Sequence, residues 1–257
     1  MPLFDLSGTT AVVTGASRGI GLAIARHFLA GGARTVIAGL DEAETRAAAD
    51  ALSAEHGAAR IACHAGDVSD PAVAQALIDT AFDRFGRLDS IVCNAGIDRI
   101  MPATAYDVAI WDRLVGVNLR GAFLPAQLGA KAWIEREQRG GSVTITSSIA
   151  ARAGVAGLAP YAASKAAIDG LVRTLAVEWA PHGIRVNAVA PGYVDNVMAG
   201  VTIHADPETE ARIRAATPLG RRATVDEIAT PFVFLASPAA SYITGAVLAV
   251  DGGYTAQ

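Results

Sequence analysis

Short runs of β-branched and apolar residues alternate along this chain with longer segments whose apolar positions recur every three or four residues. The strand-like runs are Thr10-Ala11-Val12-Val13-Thr14 and residues 35–39, 60–65, 88–93, 142–146, 184–190 and 246–250. Between them the spacing predicts helices over 22–30, over about 70–85, as one long stretch over about 106–136, and after Pro160. Strands that alternate with helices at this spacing pair in parallel through right-handed crossovers, which predicts an α/β doubly wound sheet. Residues 1–257 read as one such domain, without repeats or linkers. Only 194–222 breaks the alternation, with Asp206-Pro207 starting a short helix, and it reads as a flap over a crevice.

Composition narrows the class. With 52% hydrophobic residues the chain can bury a large core, and its many Gly and Ala suit close packing of helices on a sheet. A formal charge of -4 supplies no basic field for nucleic acid. The apolar runs stop short of membrane-spanning length, and Met1 to Ser7 has no charged start followed by an apolar core, so a soluble cytoplasmic protein is expected. Cys63 and Cys93 sit in strand-like runs and read as buried free thiols. His27, His56, His64, His182 and His204 lack metal-like spacing, so no metal is expected.

The chemistry-bearing residues fall at strand ends. Gly15-Ala16-Ser17-Arg18-Gly19-Ile20-Gly21 joins the first strand to the first helix, the arrangement in which glycines admit a phosphate to a helix N-terminus. The end of the second strand, about twenty residues on, is where a carboxylate would bind the ribose diol of NAD or an Arg the extra phosphate of NADP. This chain has Gly39-Leu40-Asp41 there, which gives neither signal cleanly. Asp67-Val68, Asn94-Ala95-Gly96, Ser147-Ser148 and Pro191-Gly192 occupy the later strand ends. Ligands of such sheets bind outside the carboxyl ends of the strands, so one shared nucleotide crevice accounts for all of them. Asn118 lies in an apolar context, where a buried amide serves either packing or a site. Tyr161 and Lys165 are four residues apart, and on a helix opened by Pro160 they share one face. Taken alone, YxxxK also describes a surface helix with an unrelated pair. In context, the ammonium is the fixed positive charge that a phenol needs to act as a base.

These motifs together resemble those of the short-chain dehydrogenase/reductase family over essentially the whole chain. The carrying residues are Thr14 to Gly21, Asn94-Ala95-Gly96, Asn118, Ser148, Tyr161, Lys165, Pro191-Gly192 and the closing Asp251-Gly252-Gly253. The resemblance implies a seven-stranded Rossmann sheet in the order 3-2-1-4-5-6-7 and nicotinamide-dependent interconversion of a secondary alcohol and a ketone. It implies Tyr161 as the base, its pKa depressed by Lys165 and the oxidised ring, Ser148 on the substrate oxygen, and Asn118 holding a water that links Lys165 to solvent. Cofactor contacts are expected from Gly15, Ser17, Arg18, Gly19, Ile20, Gly21, Gly39, Leu40, Asp67, Val68, Asn94, Ala95, Gly96, Tyr161, Lys165, Pro191, Gly192, Val194 and Asn196. Asn196 stands where many members carry Thr. Leu40 resembles the apolar residue that follows the Asp of NAD-type members, and no Arg follows it, so NAD is favoured over NADP. Arg18, with Arg46, would supply the phosphate site otherwise.

Arg152 and Tyr193 are expected to join Ser148 at the substrate, with Asp98, Arg99 and His204 beside apolar Ile97, Val155 and Leu158. That mixed lining favours a sugar, polyol or sugar acid over a 3-oxoacyl thioester or a hydroxysteroid. A nucleotide-binding regulatory subunit or a methyltransferase could share the glycine turn, but neither needs Ser148, Tyr161 and Lys165 together. Pro231 falls within the helix that follows the Thr224-Val225-Asp226-Glu227 capping box, predicting a kink or a late start. The helix after Pro160 is apolar on more than one face, and Leu114, Val117, Phe123 and Leu128 raise the same problem on the long helix before it. A homotetramer with 222 symmetry, its second contact near Tyr242 to Val250, is the expected solution and the arrangement common in the family.

Overall fold

A computed structural model describes residues 4–195 and 207–257. Asn196 and His204 therefore lie outside the described residues. Seven parallel strands form one sheet: β1 (Thr10–Val13), β2 (Arg34–Gly39), β3 (Ile61–Ala65), β4 (Ser90–Cys93), β5 (Gly141–Thr146), β6 (Ile184–Pro191) and β7 (Val247–Val250). Their order is β3-β2-β1-β4-β5-β6-β7, as expected. The predicted strand positions hold, with ends shifted by a residue or two. Arg60, for instance, belongs to a single 3₁₀ turn that precedes β3.

Alternation along the strands divides the core between the two faces. From β1, Val12 enters one cluster with Leu77, Ile91, Trp133, Ile168 and Val172. Its neighbours Ala11 and Val13 enter the other, with Ile24, Phe28, Leu52 and Phe232. The first face is covered by α3 (Pro71–Phe85), α5 (Gly121–Glu135) and α6 (Ala159–Trp179), with α4 (Val108–Val115) just before α5 in the chain. The second is covered by α1 (Gly19–Ala30), α2 (Glu42–His56) and α8 (Val225–Ala236), with α7 (Pro207–Ala216) just before α8. Cys93 is fully buried, and burial pushes its thiol up to about 12, while Cys63 is half-buried.

Two helical expectations are refined. The long stretch over 106–136 is helical from Val108 to Glu135 but not α-helical throughout: between α4 and α5 the chain takes one wider π turn, Gly116–Arg120, with Asn118 inside it. Such bulges occur where a side chain must be turned off the regular helical path, often at functional sites. Nor does α8 start late, because the capping box is formed and the helix runs from Val225 through Pro231 to Ala236. Pro231 cannot donate to the carbonyl of Glu227, four residues back. The Thr230 hydroxyl donates to that carbonyl instead, at 3.5 Å.

Both described ends of the 194–222 segment are tied down. Val194 bridges Ala223, and buried Arg222 donates to Glu210 of α7 at 2.7 Å. No helix among the described residues is long and apolar enough to cross a membrane.

Candidate active site

The site begins where β1 stops. Gly15 and Gly19 take positive φ (64° and 58°), which lets the chain turn from strand to helix within a few residues. At Gly21 the need is space, since a Cβ there would sit 2.1 Å from the carbonyl oxygen of Gly15. Gly19 and Gly21 thus shape the turn, while Gly15, Ser17, Arg18 and Ile20 line a cleft of about 230 Å³. Arg18, at the N-cap of α1, makes no side-chain cap, so the first-turn N–H groups have no side-chain acceptor. An uncapped helix N-terminus behind a glycine turn fits a dinucleotide phosphate.

The same cleft is lined by Gly39, Leu40, Asp67, Val68, Asn94, Ala95, Gly96, Tyr161 and Lys165. Packing explains Gly39: a Cβ would lie 2.2 Å from Thr45 Oγ1 and 3.0 Å from Ser17 Cβ, which leaves no room there for a side chain that could bind a ribose diol. Asp41 is occupied as the cap of α2, accepting from the Glu44 N–H at 2.8 Å. Asn94 ties three strand ends together. Its amide donates to the carbonyls of Thr14 (3.2 Å) and Gly15 (3.3 Å) and accepts from the Thr146 hydroxyl (3.1 Å), so the side chain is spent inside the protein.

Sequence reasoning missed Arg113. It lines the cleft from α4 and pairs with Asp67, 46 residues away in the chain. Burial alone would raise the Asp67 carboxyl, but hydrogen bonds from Arg113 and Ser69 hold it down to about 2.

The reacting end is built by β5 and α6. Pro160 lies in the first turn of α6, and Tyr161 and Lys165 follow one turn apart on the face turned to β5. The buried Lys165 ammonium donates to the carbonyl of Thr146 at 2.7 Å and lies 5.6 Å from the centre of the Tyr161 ring. Ser148 sits just beyond β5, caps a short 3₁₀ turn by accepting from the Ala150 N–H at 3.1 Å, and stands beside the Tyr161 phenol. Asn118, fully buried in the π turn, accepts from the Ile97 N–H (2.8 Å) and donates to the Ile97 carbonyl (2.8 Å) and Ser164 Oγ (3.2 Å). Its amide therefore fastens the segment after β4 to α6.

The expected depression of the Tyr161 pKa is not a property of the chain alone. Burial pushes the phenol up to about 12, the Ser148 hydroxyl works against that, and the Asp98 carboxylate adds to it. Burial likewise pushes Lys165 down to about 8, opposed by Asp98. Asp98 is half-buried with no hydrogen-bond donor among the described residues, and burial raises its own pKa against the pull of Lys165.

Other expected residues lie outside the cleft. A Cβ on Gly192 would meet Asp251 Cα at 2.7 Å, so Pro191-Gly192 lets β6 and β7 end side by side, and Val194 is taken up by its bridge to Ala223. Asp251 itself accepts from Gly253 and Thr255, which accounts for the closing Asp-Gly-Gly turn. Tyr193 packs edge-on against Tyr254 (5.6 Å between ring centres), and Arg152 is turned to Asp169. Neither of these two expected substrate residues is brought to the cleft.

The profile of the family described as enoyl-(acyl carrier protein) reductase matches residues 15–255. D-threitol dehydrogenase of Mycolicibacterium smegmatis is 40% identical over 98% of this chain and 95% of its own length. The chain belongs to the short-chain dehydrogenase/reductase family. It is similar as well to 3beta-hydroxysteroid dehydrogenase 1 of Eggerthella lenta, 39% identical over 98% of this chain and 95% of that one. Among solved structures, a gluconate 5-dehydrogenase from Burkholderia cenocepacia in complex with NADP and tartrate superposes with a TM-score of 0.92 at 34% identity, covering 99% and 98% of the two chains. As a member of this family the protein is an NAD(P)-dependent oxidoreductase acting on CH–OH groups.

The position of Asp98 generates a prediction about pH. Its negative charge disfavours the Tyr161 phenolate, so Asp98→Asn should move the acid limb of the kcat/KM profile for alcohol oxidation to lower pH. An acid limb that stays in place or moves to higher pH contradicts this electrostatic picture.

Proposed function

We propose that the protein is a cytoplasmic NAD-dependent dehydrogenase of small polyhydroxylated alcohols, sugars or sugar acids. The observation that carries this reading is that Tyr161 and Lys165 line the cleft that starts at the glycine turn, with Ser148 beside Tyr161. Bound nicotinamide dinucleotide supplies the hydride chemistry, held by the Gly15 to Gly21 turn, the strand-end residues that line the cleft, and Tyr161 and Lys165. Tyr161 takes the hydroxyl proton, Ser148 donates a hydrogen bond to the substrate oxygen as charge develops on it, and Lys165 favours the phenolate.

NAD is favoured because both candidate phosphate ligands are already met by carboxylates of α2. Arg18 lies 3.3 Å from Glu44, and Arg46 lies 3.0 Å from Glu42. Both pairs are exposed and individually weak, so they bias the choice of cofactor rather than forbid NADP.

The relatives act on substrates as unlike as threitol and a steroid, so likeness alone does not select a class. Asp98, a carboxylate beside Tyr161 and Lys165 with no donor among the described residues, suits a substrate that brings further hydroxyls. A steroid or fatty chain would leave that carboxylate desolvated and unpaired. Nicotinamide reduction followed by absorbance across D-threitol, galactitol, gluconate, cyclohexanol, 3-hydroxybutyryl thioester and a 3β-hydroxysteroid tests both points. The expected result is highest kcat/KM for a polyol or sugar acid with NAD. Faster turnover of the steroid or thioester, or a tenfold preference for NADP, contradicts it.

We further infer a homotetramer. Val177 on α6 (79% exposed), Val108 (74%) and Trp111 (40%) on α4, together with the groove formed by Val115, Leu119, Phe123 and Leu171, leave a wide apolar face open. A second face surrounds edge strand β7, where Tyr242 is fully exposed and Leu248 is 38% exposed. Patches of this kind are uncommon on monomers, and two of them on one chain suit two two-fold contacts. Light scattering at micromolar concentration should give about four times the 26.3 kDa chain mass, and a mass near 26.3 kDa contradicts it.

A further inference from the structure

Three residues at i, i+4 and i+8 on α6 grip three consecutive residues at the end of β5. Tyr161 meets Ser148, Lys165 holds the carbonyl of Thr146, and Asp169 accepts a 2.6 Å hydrogen bond from the Ser147 hydroxyl. Asp169 and Ser147 are both buried, at 7% and 1% exposure. The second oxygen of Asp169 lies 3.5 Å from Arg152 Nε, beyond the turn that Ser148 caps. One carboxylate therefore clamps that turn at both ends, through Ser147 before Ser148 and through Arg152 after it. Ser147 is fixed from the other side as well, its N–H donating to the carbonyl of Val189 at 2.7 Å.

We propose that Asp169 is a positioning residue, which holds Ser148 in register with Tyr161 through Ser147 and Arg152. The inference rests on the roles given above to Ser148 and Tyr161. Its physical basis is that the backbone hydrogen bonds of the Ser148 turn stay within the turn (Ala151 N–H to the Ser148 carbonyl) or run from Ser147 to β6, so side chains supply its polar ties to α6. A buried, charge-assisted hydrogen bond at the adjoining residue is such a tie. Displacing a substrate-orienting group by about 1 Å costs on the order of a hundredfold in rate.

The test uses Asp169→Leu, Asp169→Asn, Ser148→Ala and the Asp169→Leu/Ser148→Ala double variant. Readouts are turnover of D-threitol and gluconate with NAD, and NADH affinity by fluorescence titration. Asp169→Leu should lower kcat about a hundredfold while NADH affinity stays within about threefold. Asp169→Asn, whose amide oxygen still accepts from Ser147, should keep most of the activity. Because Asp169 acts through Ser148, adding Asp169→Leu to Ser148→Ala should cost less than about threefold more.

Should Asp169→Leu fail to fold, Ser147→Ala removes the donor at a small site. It should lower kcat by roughly tenfold without weakening NADH binding, half or less of the logarithmic loss expected for losing the clamp. A kcat near wild type in Asp169→Leu or Ser147→Ala overturns the proposal. So do losses that multiply in full in the double variant, or a matching loss of NADH affinity. If Ser148→Ala is itself near wild type, the role given to Ser148 falls and the proposal with it. A Ser148→Ala loss beside an active Asp169→Leu overturns the positioning role alone.

Discussion

A lysine whose ammonium is buried must find an acceptor, and the arrangement of the reacting end follows from where Lys165 finds one. At 3% exposure it lies on the inner face of α6, and the carbonyl of Thr146 at the end of β5 accepts its hydrogen bond at 2.7 Å. An unpaired ammonium in that position would cost several kcal/mol or lose its proton. The bond fixes the rotation of α6 about its axis and its height against the sheet. Tyr161, one turn earlier, then comes to Ser148 just past the strand end. The floor beneath is closed by Gly96, where a Cβ would stand 3.6 Å from the Lys165 ammonium and 3.4 Å from the Asn118 amide oxygen.

The remainder of the cleft depends on strand ends that are cross-tied rather than simply adjacent. Thr14 Oγ1 accepts from the N–H groups of Asn94 and Ala95, and the Asn94 amide reaches Thr14, Gly15 and Thr146. β1, β4 and β5 thus finish at a common level, which joins the phosphate-binding turn to the reacting groups. Asn94, which also lines the cleft, and Asn118 spend their side-chain amides on this scaffold.

What was legible in the sequence was what is encoded locally. A β-branched run followed by glycine, an i, i+4 Tyr/Lys pair after Pro160, and a Thr-x-x-Glu box each carry their signal within a few residues. The fold, the strand order implied by the resemblance, and the meeting of Tyr161, Lys165 and Ser148 follow from such signals. What was illegible depends on contacts between distant positions. Arg113 reaches Asp67 across 46 residues, Arg152 turns to Asp169 instead of the cleft, and Gly39 is dictated by Ser17 and Thr45. The π turn at Gly116–Arg120 leaves the apolar spacing of a helix nearly intact, so periodicity alone reads through it. The Tyr161 pKa divides in the same way: burial, a property of the assembled fold, raises it in the chain by itself, and the oxidised ring invoked to lower it belongs to the cofactor.

The central claim is that the phenolic oxygen of Tyr161 receives the substrate proton while the ring itself contributes only shape. Turnover by Tyr161→Phe, measured at saturating NAD alongside NADH affinity, addresses it most directly. The account predicts that kcat falls by about three orders of magnitude or more, roughly 4 kcal/mol in barrier, while NADH affinity stays within about threefold. A variant that turns over within about tenfold of wild type, roughly 1.4 kcal/mol, would contradict it.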